Sequence, residues 1–230
     1  ELERPLPMEE LWVDVGLPRD EVEACVPIGS TITFGAGMRT LLGDRFAGKT
    51  MDDRLCAVAL VQALELLKDR TLPFDVVMAF TVHEEVTGNG AWTTGYVARP
   101  DAGIAVDVTH GDTDGVPDYK TIPLGGGPGL TVGPIINDHV LDLLRRSAKA
   151  IEVPFHEEPS MAYSGTDADE LQLSAQGIAT GVLSIPLRYM HSPVETADQT
   201  DVDRTARLIA EVAVHFDAAF LGELYGTATA

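Results

Sequence analysis

The apolar run Val76-Val77-Met78-Ala79-Phe80-Thr81-Val82 ends on His83-Glu84-Glu85, and Gly88-Asn89-Gly90 follows. Such a run reads as a buried strand, and charge closing a buried segment is costly unless it is paired or holds a metal. Neighbours on a regular strand point to opposite faces, so Glu84 and Glu85 serve one site only where the pleat breaks down. A break just past the strand meets that need. The carboxyl end of a strand is also where ligands sit in open α/β sheets.

Around this segment the chain alternates between helical and strand patterns. Apolar spacing predicts helices at about Arg54 to Lys68, Ala91 to Ala98, Asn137 to Ile151 and Asp167 to Ala175. Strands are predicted at Asp75 to Val82, Gly103 to Val108, Pro154 to Glu157 and Thr180 to Ile185. A last helix carries Val202, Ala206, Ile209, Val212, Ala213, Phe216 and Phe220 on one face, with Thr200 as its N-cap. This order predicts an α/β fold whose sheet is covered on both faces. The chain divides near residue 45. Residues 1–45 hold short strand-like pieces, Leu11 to Val15 and Thr31 to Phe34, around a helical stretch at Arg19 to Ala24, and are too few to fold alone.

Charge narrows the function. The 16 Lys and Arg against 36 Asp and Glu give a formal charge of -20, which repels nucleic-acid phosphate and anionic membrane surfaces. No window is long and apolar enough for a membrane span, and Glu1-Leu2-Glu3-Arg4-Pro5 lacks the character of a secretion signal, which points to the cytoplasm. Cys25 and Cys56 are too few for a disulfide framework or a thiolate zinc site. The chain starts without Met and runs straight into a strand-like pattern, as the later part of something longer would.

More acidic and imidazole residues fall at element boundaries. Asp52-Asp53 precedes a helix, Asp107 closes a strand, and His191 follows the strand at Thr180 to Ile185. If those ends share one edge of the sheet, Asp52, Glu84, Glu85, Asp107 and His191 line one pocket. Carboxylates with imidazole suit zinc, cobalt or manganese, and a carboxylate can bridge two such ions about 3.5 to 4 Å apart. Singly, each residue has a plainer role: Asp52 or Asp53 as a helix cap, His191 as a surface loop residue, adjacent glutamates as a solvated face. The charges that interrupt buried segments weigh against those plainer roles.

Five motifs, in order, resemble metallopeptidase family 42, the tetrahedral, deblocking or glutamyl aminopeptidases. They are Gly48-Lys49-Thr50-Met51-Asp52-Asp53-Arg54, His83-Glu84-Glu85-Val86, Ala105-Val106-Asp107-Val108-Thr109-His110, Gly165-Thr166-Asp167-Ala168 and Tyr189-Met190-His191-Ser192. The resemblance implies a three-layer α/β/α fold with a mixed sheet of the phosphorylase/hydrolase-like type. It makes residues 1–45 the end of an inserted small β domain of dimerisation type and residues 46–230 the catalytic domain. It further implies two divalent metal ions, zinc or cobalt, bridged by Asp52 across a cis Asp52-Asp53 peptide. Glu85 and His191 complete one metal site, Asp107 serves the other, Asp53 orients, and Glu84 is the general base. Gly125-Gly126-Gly127 and Arg188 border the substrate pocket. Peptide substrates and a homo-oligomer of dimers, up to a dodecamer, follow from the same resemblance.

One departure stands out: no His precedes His83, whereas the family's second metal site takes a His, with an Asp two residues on, from ahead of the inserted domain. A partial chain is the expected explanation. Two rival classes remain. Gly43-Asp44-Arg45-Phe46-Ala47-Gly48-Lys49-Thr50 matches the phosphate-loop pattern, but Met38 to Leu42 is a poor strand before it, and Asp52 and Asp53 would repel phosphate at the helix start. A non-catalytic paralogue acting in assembly is the other. A serine hydrolase lacks its Gly-x-Ser-x-Gly elbow.

Overall fold

The computed structural model describes residues 6–227, which contacts divide into a unit up to Gly35 and a unit from Ala36. The first unit contains a single turn of 3-10 helix at Met8–Glu10 and helix α1, Arg19–Cys25, entered from Pro18. The segments at Leu11 to Val15 and Thr31 to Phe34 are not strands. Alternating apolar residues yield an extended chain, but a strand also needs a hydrogen-bonding neighbour, and no ladder among the described residues supplies one.

The second unit is built on two sheets. Strands β1 (Arg39–Thr40), β2 (Arg45–Gly48) and β7 (Glu195–Asp198) form an antiparallel ribbon in the order β1-β2-β7. The larger sheet runs β3 (Ala102–His110), β6 (Ala179–Leu187), β4 (Gly129–Val132), β5 (His156–Pro159). It is mixed: β3 and β6 are parallel, β4 and β5 are parallel, and β4 meets β6 antiparallel. The helices are α2 (Met51–Leu67), α3 (Glu84–Thr87), α4 (Asn89–Ala98), α5 (Asp138–Ala150), α6 (Ala168–Leu171), α7 (Gln199–His215) and α8 (Ala218–Leu224).

Small residues fix how the layers close on the sheet. A Cβ on Gly181 of β6 would come within 2.7 Å of Val140 in α5, and one on Gly103 of β3 within 2.6 Å of Leu171 in α6. Gly181 pairs with Ile104, the strand neighbour of Gly103, so α5 and α6 cover opposite faces. With α7 packed against α5, and α2 against α7, this is the expected three-layer α/β/α sandwich. Val182, Leu183, Ile185 and Leu187 of β6 are all but fully buried. Each such side chain contributes about 1.5–3 kcal/mol by leaving water.

Four further sequence expectations need correction. The segment Asp75 to Val82 is not a strand: its side chains alternate in and out, with Val76 and Met78 against the core, but a groove of about 580 Å³ separates it from β3. Strand β3 runs to His110, so Asp107 sits inside it and not at its end. The last helix is two, because Asp217 takes extended backbone and caps α8 through Phe220 N. Asp198 rather than Thr200 caps α7, its Oδ1 accepting from Thr200 N.

Candidate metal centre

Asp52 enters from the start of α2, where Thr50 takes left-handed backbone (φ 55) and Asp52 itself is non-helical (ψ 109) before regular turns begin. The Asp52-Asp53 peptide is cis. Glu84 and Glu85 stand in the first turn of α3, which begins immediately after His83 in left-handed backbone (φ 64). The pleat breaks where two adjacent glutamates require it. Three amides, of Val86, Thr87 and Gly88, donate to His83 O and tighten the turn. The chain then passes so close to itself that a Cβ on Gly90 would lie 2.2 Å from Val82 O. His83 remains exposed, outside the cleft.

Asp52, Glu84, Glu85, Asp107 and His191 line one open cleft of about 310 Å³. Within it, His191 Nε2 lies 3.0 Å from Asp52 Oδ2 and 3.4 Å from Glu85 Oε2. One donor atom from each of the three falls within 4.8 Å of the others. The Asp52 side chain is 8% exposed and forms the floor, while His191 (66%) and Glu85 (55%) form the rim. Asp107 is buried in the same cleft but outside this cluster, with Val108 N donating to its Oδ1 at 2.7 Å. Asp53 turns away and lines the groove beside β3, together with Asp167.

The electrostatics favour a cation. Burial, then the charge of Glu85, pushes the Asp52 carboxyl up to about 6, against the pull of His191. Burial and then Asp167 raise Glu84 to about 7. Burial raises Asp107 to about 8, against the hydrogen bond from Val108. Three carboxylates crowded at one place resist ionising together, and a divalent ion among them removes that resistance. Two carboxylates and an imidazole converging on one point are also a donor set that suits zinc or cobalt. The residues present therefore fit a divalent metal.

Asp169, Glu170 and Glu195 were not singled out from the sequence, and Asp167 was named only at a helix start and within the motif Gly165-Thr166-Asp167-Ala168. Asp169 and Glu170 line the cleft as well. Asp167 lies half-buried, accepts a hydrogen bond from Thr81 Oγ1, and its Oδ1 has no hydrogen-bond partner among the described residues. Glu195, 2% exposed, accepts from the backbone on both sides of the cleft. A lone acid inside a strand carries no periodic signal, and only the tertiary fold shows that it is buried. Gly125-Gly126-Gly127 and Arg188 do not line the cleft. Buried Asp201 accepts from Gly125 N and Gly127 N, and Arg188 is held by Asp112.

The phosphate-loop pattern has no phosphate-loop structure. Residues Arg45 to Gly48 form β2, paired on both edges, so their amides serve the ladder and do not cradle an anion.

The sandwich with this cleft defines an α/β protein whose acidic, imidazole-bearing site has the donor set of a divalent-cation site. The model of the M42 glutamyl aminopeptidase family matches residues 1–208, and the chain belongs to that family. A lysyl aminopeptidase of Pyrococcus furiosus is 38% identical over 202 residues, which cover 87% of this chain and 58% of the relative. Among solved structures, an aminopeptidase of Desulfurococcus kamchatkensis superposes with a TM-score of 0.81 at 33% identity, over 92% of this chain and 61% of that one. The Pyrococcus horikoshii TET1 peptidase, described as assembling into a tetrahedron or a large octahedral shell, gives 0.67 at 28% identity, over 78% and 53%. The chain thus spans little more than half the length of these relatives.

Proposed function

We propose that this chain carries the catalytic cleft of a metal-dependent aminopeptidase, which releases N-terminal residues from peptides. The observation that carries the proposal is the convergence of Asp52, Glu85 and His191 donor atoms within 4.8 Å, beside Glu84, in a member of the M42 family. Asp52, Glu85 and His191 would hold one zinc or cobalt ion, and Asp52 with Asp107 would contribute to a second. When bound, these ions acidify water and polarise the scissile carbonyl.

The protein's own groups do the rest. Glu84 takes the proton of the attacking water and passes it to the leaving amine, two transfers suited to a carboxyl whose pKa lies near the working pH. Burial and the Asp167 charge bring Glu84 to about 7, and the ions would draw it lower. Asp53 and Asp167 line the adjoining groove with Glu84, and their charges favour its protonated form. The cleft is open on one side, as a peptide's N-terminus requires. Copies associate through residues 1–45, where Trp12, Ile28, Ile32 and Phe34 stand exposed. Contiguous exposed apolar residues mark association surfaces.

The test is Glu84→Gln in the full-length protein. Zinc content is expected to stay at wild-type level while kcat falls by roughly 10²–10⁴-fold, the usual worth of a general base. Near-normal turnover would remove Glu84 from that role.

A further inference from the structure

The two backbone limbs that carry Asp52 and His191 end on the same buried carboxylate. Glu195 Oε2 accepts from Met51 N at 2.5 Å and Asp52 N at 3.4 Å, and its Oε1 accepts from His191 N at 2.9 Å. One limb is the entry to α2, where Asp52 departs from helical backbone; the other is the loop before β7, where Tyr189 and His191 take left-handed backbone (φ 57 and 63). Neither limb keeps that shape through a regular ladder at those residues. Left-handed backbone is costly outside glycine and persists only where its surroundings enforce it. Glu195 is itself fixed, since it opens β7 and pairs with Gly48 of β2.

We infer that Glu195 is a positioning residue for the metal centre: its two oxygens tie the Asp52 limb to the His191 limb and set the spacing of those two ligands. The inference rests on the metal reading above. The geometry requires a carboxylate. Each limb needs an acceptor, and a glutamine has one oxygen, so its amide nitrogen would meet a backbone N–H on one side, donor against donor. An aspartate keeps both oxygens but is one methylene too short to hold both limbs. Partners that orient ligands typically change metal affinity by 10–100-fold when removed.

The experiment compares wild type, Glu195→Gln and Glu195→Asp in the full-length protein, with amide hydrogen exchange on the metal-free form and zinc affinity by competition with a chromophoric chelator. Both variants are expected to lose exchange protection locally, at Met51 and Asp52 or at His191, while the protection of β6 is unchanged. Zinc affinity should fall by 10–100-fold, and the visible spectrum of the cobalt-substituted protein should change. Wild-type protection at both limbs, or wild-type zinc affinity and cobalt spectrum despite lost protection, overturns the inference. If Glu195→Gln does not fold, Glu195→Asp decides by the same readouts. A wild type that binds no zinc overturns the metal reading instead, and exchange still reports whether Glu195 joins the limbs.

Discussion

Asp52, Glu84 and Asp107 each have more acids than bases around them, and each is partly removed from water, so each holds its proton to higher pH than a free carboxyl. Their folded pKa values, about 6, 7 and 8, lie above the unfolded values near 4. The stability they contribute is complete below the unfolded pKa and is lost as pH rises through the folded values. Metal-free protein is therefore expected to melt at lower temperature at pH 8.5 than at pH 5, and saturating zinc to remove most of that fall. A metal-free melting temperature that rises or stays level over this range contradicts the electrostatic account. At this scale the sequence was informative for residues at element ends, because an acid that closes an apolar run is visible as an interruption. For Glu195 it was not, because its burial arises from packing between distant segments.

The elements that hold the cleft are tied by acids at the start of α7 and in the strand before it. Asp198 caps α7 and pairs with Arg45, and Asp201, with no exposed surface, takes the amides of Gly125 and Gly127. Replacing Asp201 with Ala leaves the buried Gly127 amide and the half-buried Gly125 amide without this acceptor, which costs about 1–4 kcal/mol in all. Urea unfolding of Asp201→Ala measures it, and a loss below about 1 kcal/mol would show that these amides find other partners. Periodicity located α2, α4, α5, β3 and β6, whose burial patterns are long and regular. It failed where a tertiary partner decides. The Asp75 to Val82 segment has a strand's alternation but no ladder, and Phe216 continues the apolar face of α7 while packing edge-on against Phe74 as the helix ends. Strand β4, four residues among glycines, was too short to announce itself.

For the whole molecule, a formal charge of -20 keeps copies apart unless an apolar surface overrides it. The unit up to Gly35 exposes such side chains, Trp12 at 82% among them. On the proposed association through this unit, Trp12→Asp in the full-length protein is expected to lower the mass seen by light scattering, whereas an unchanged mass would take Trp12 out of that role. The α/β class and the sandwich were legible in the order of elements, whereas the antiparallel ribbon of β1, β2 and β7 was not, because its strands are two to four residues long. No helix among the described residues is long and apolar enough to cross a membrane. On the proposed function, the cleft hydrolyses peptides with the help of a divalent metal for which Asp52, Glu85 and His191 are the ligands. The most direct test of that reading is aminoacyl-p-nitroanilide hydrolysis by the full-length protein, stripped with chelator and then titrated with zinc or cobalt. Activity should vanish on stripping and return with metal in proportion to the ion bound. Hydrolysis unaffected by stripping, or none with any divalent ion restored, would contradict it.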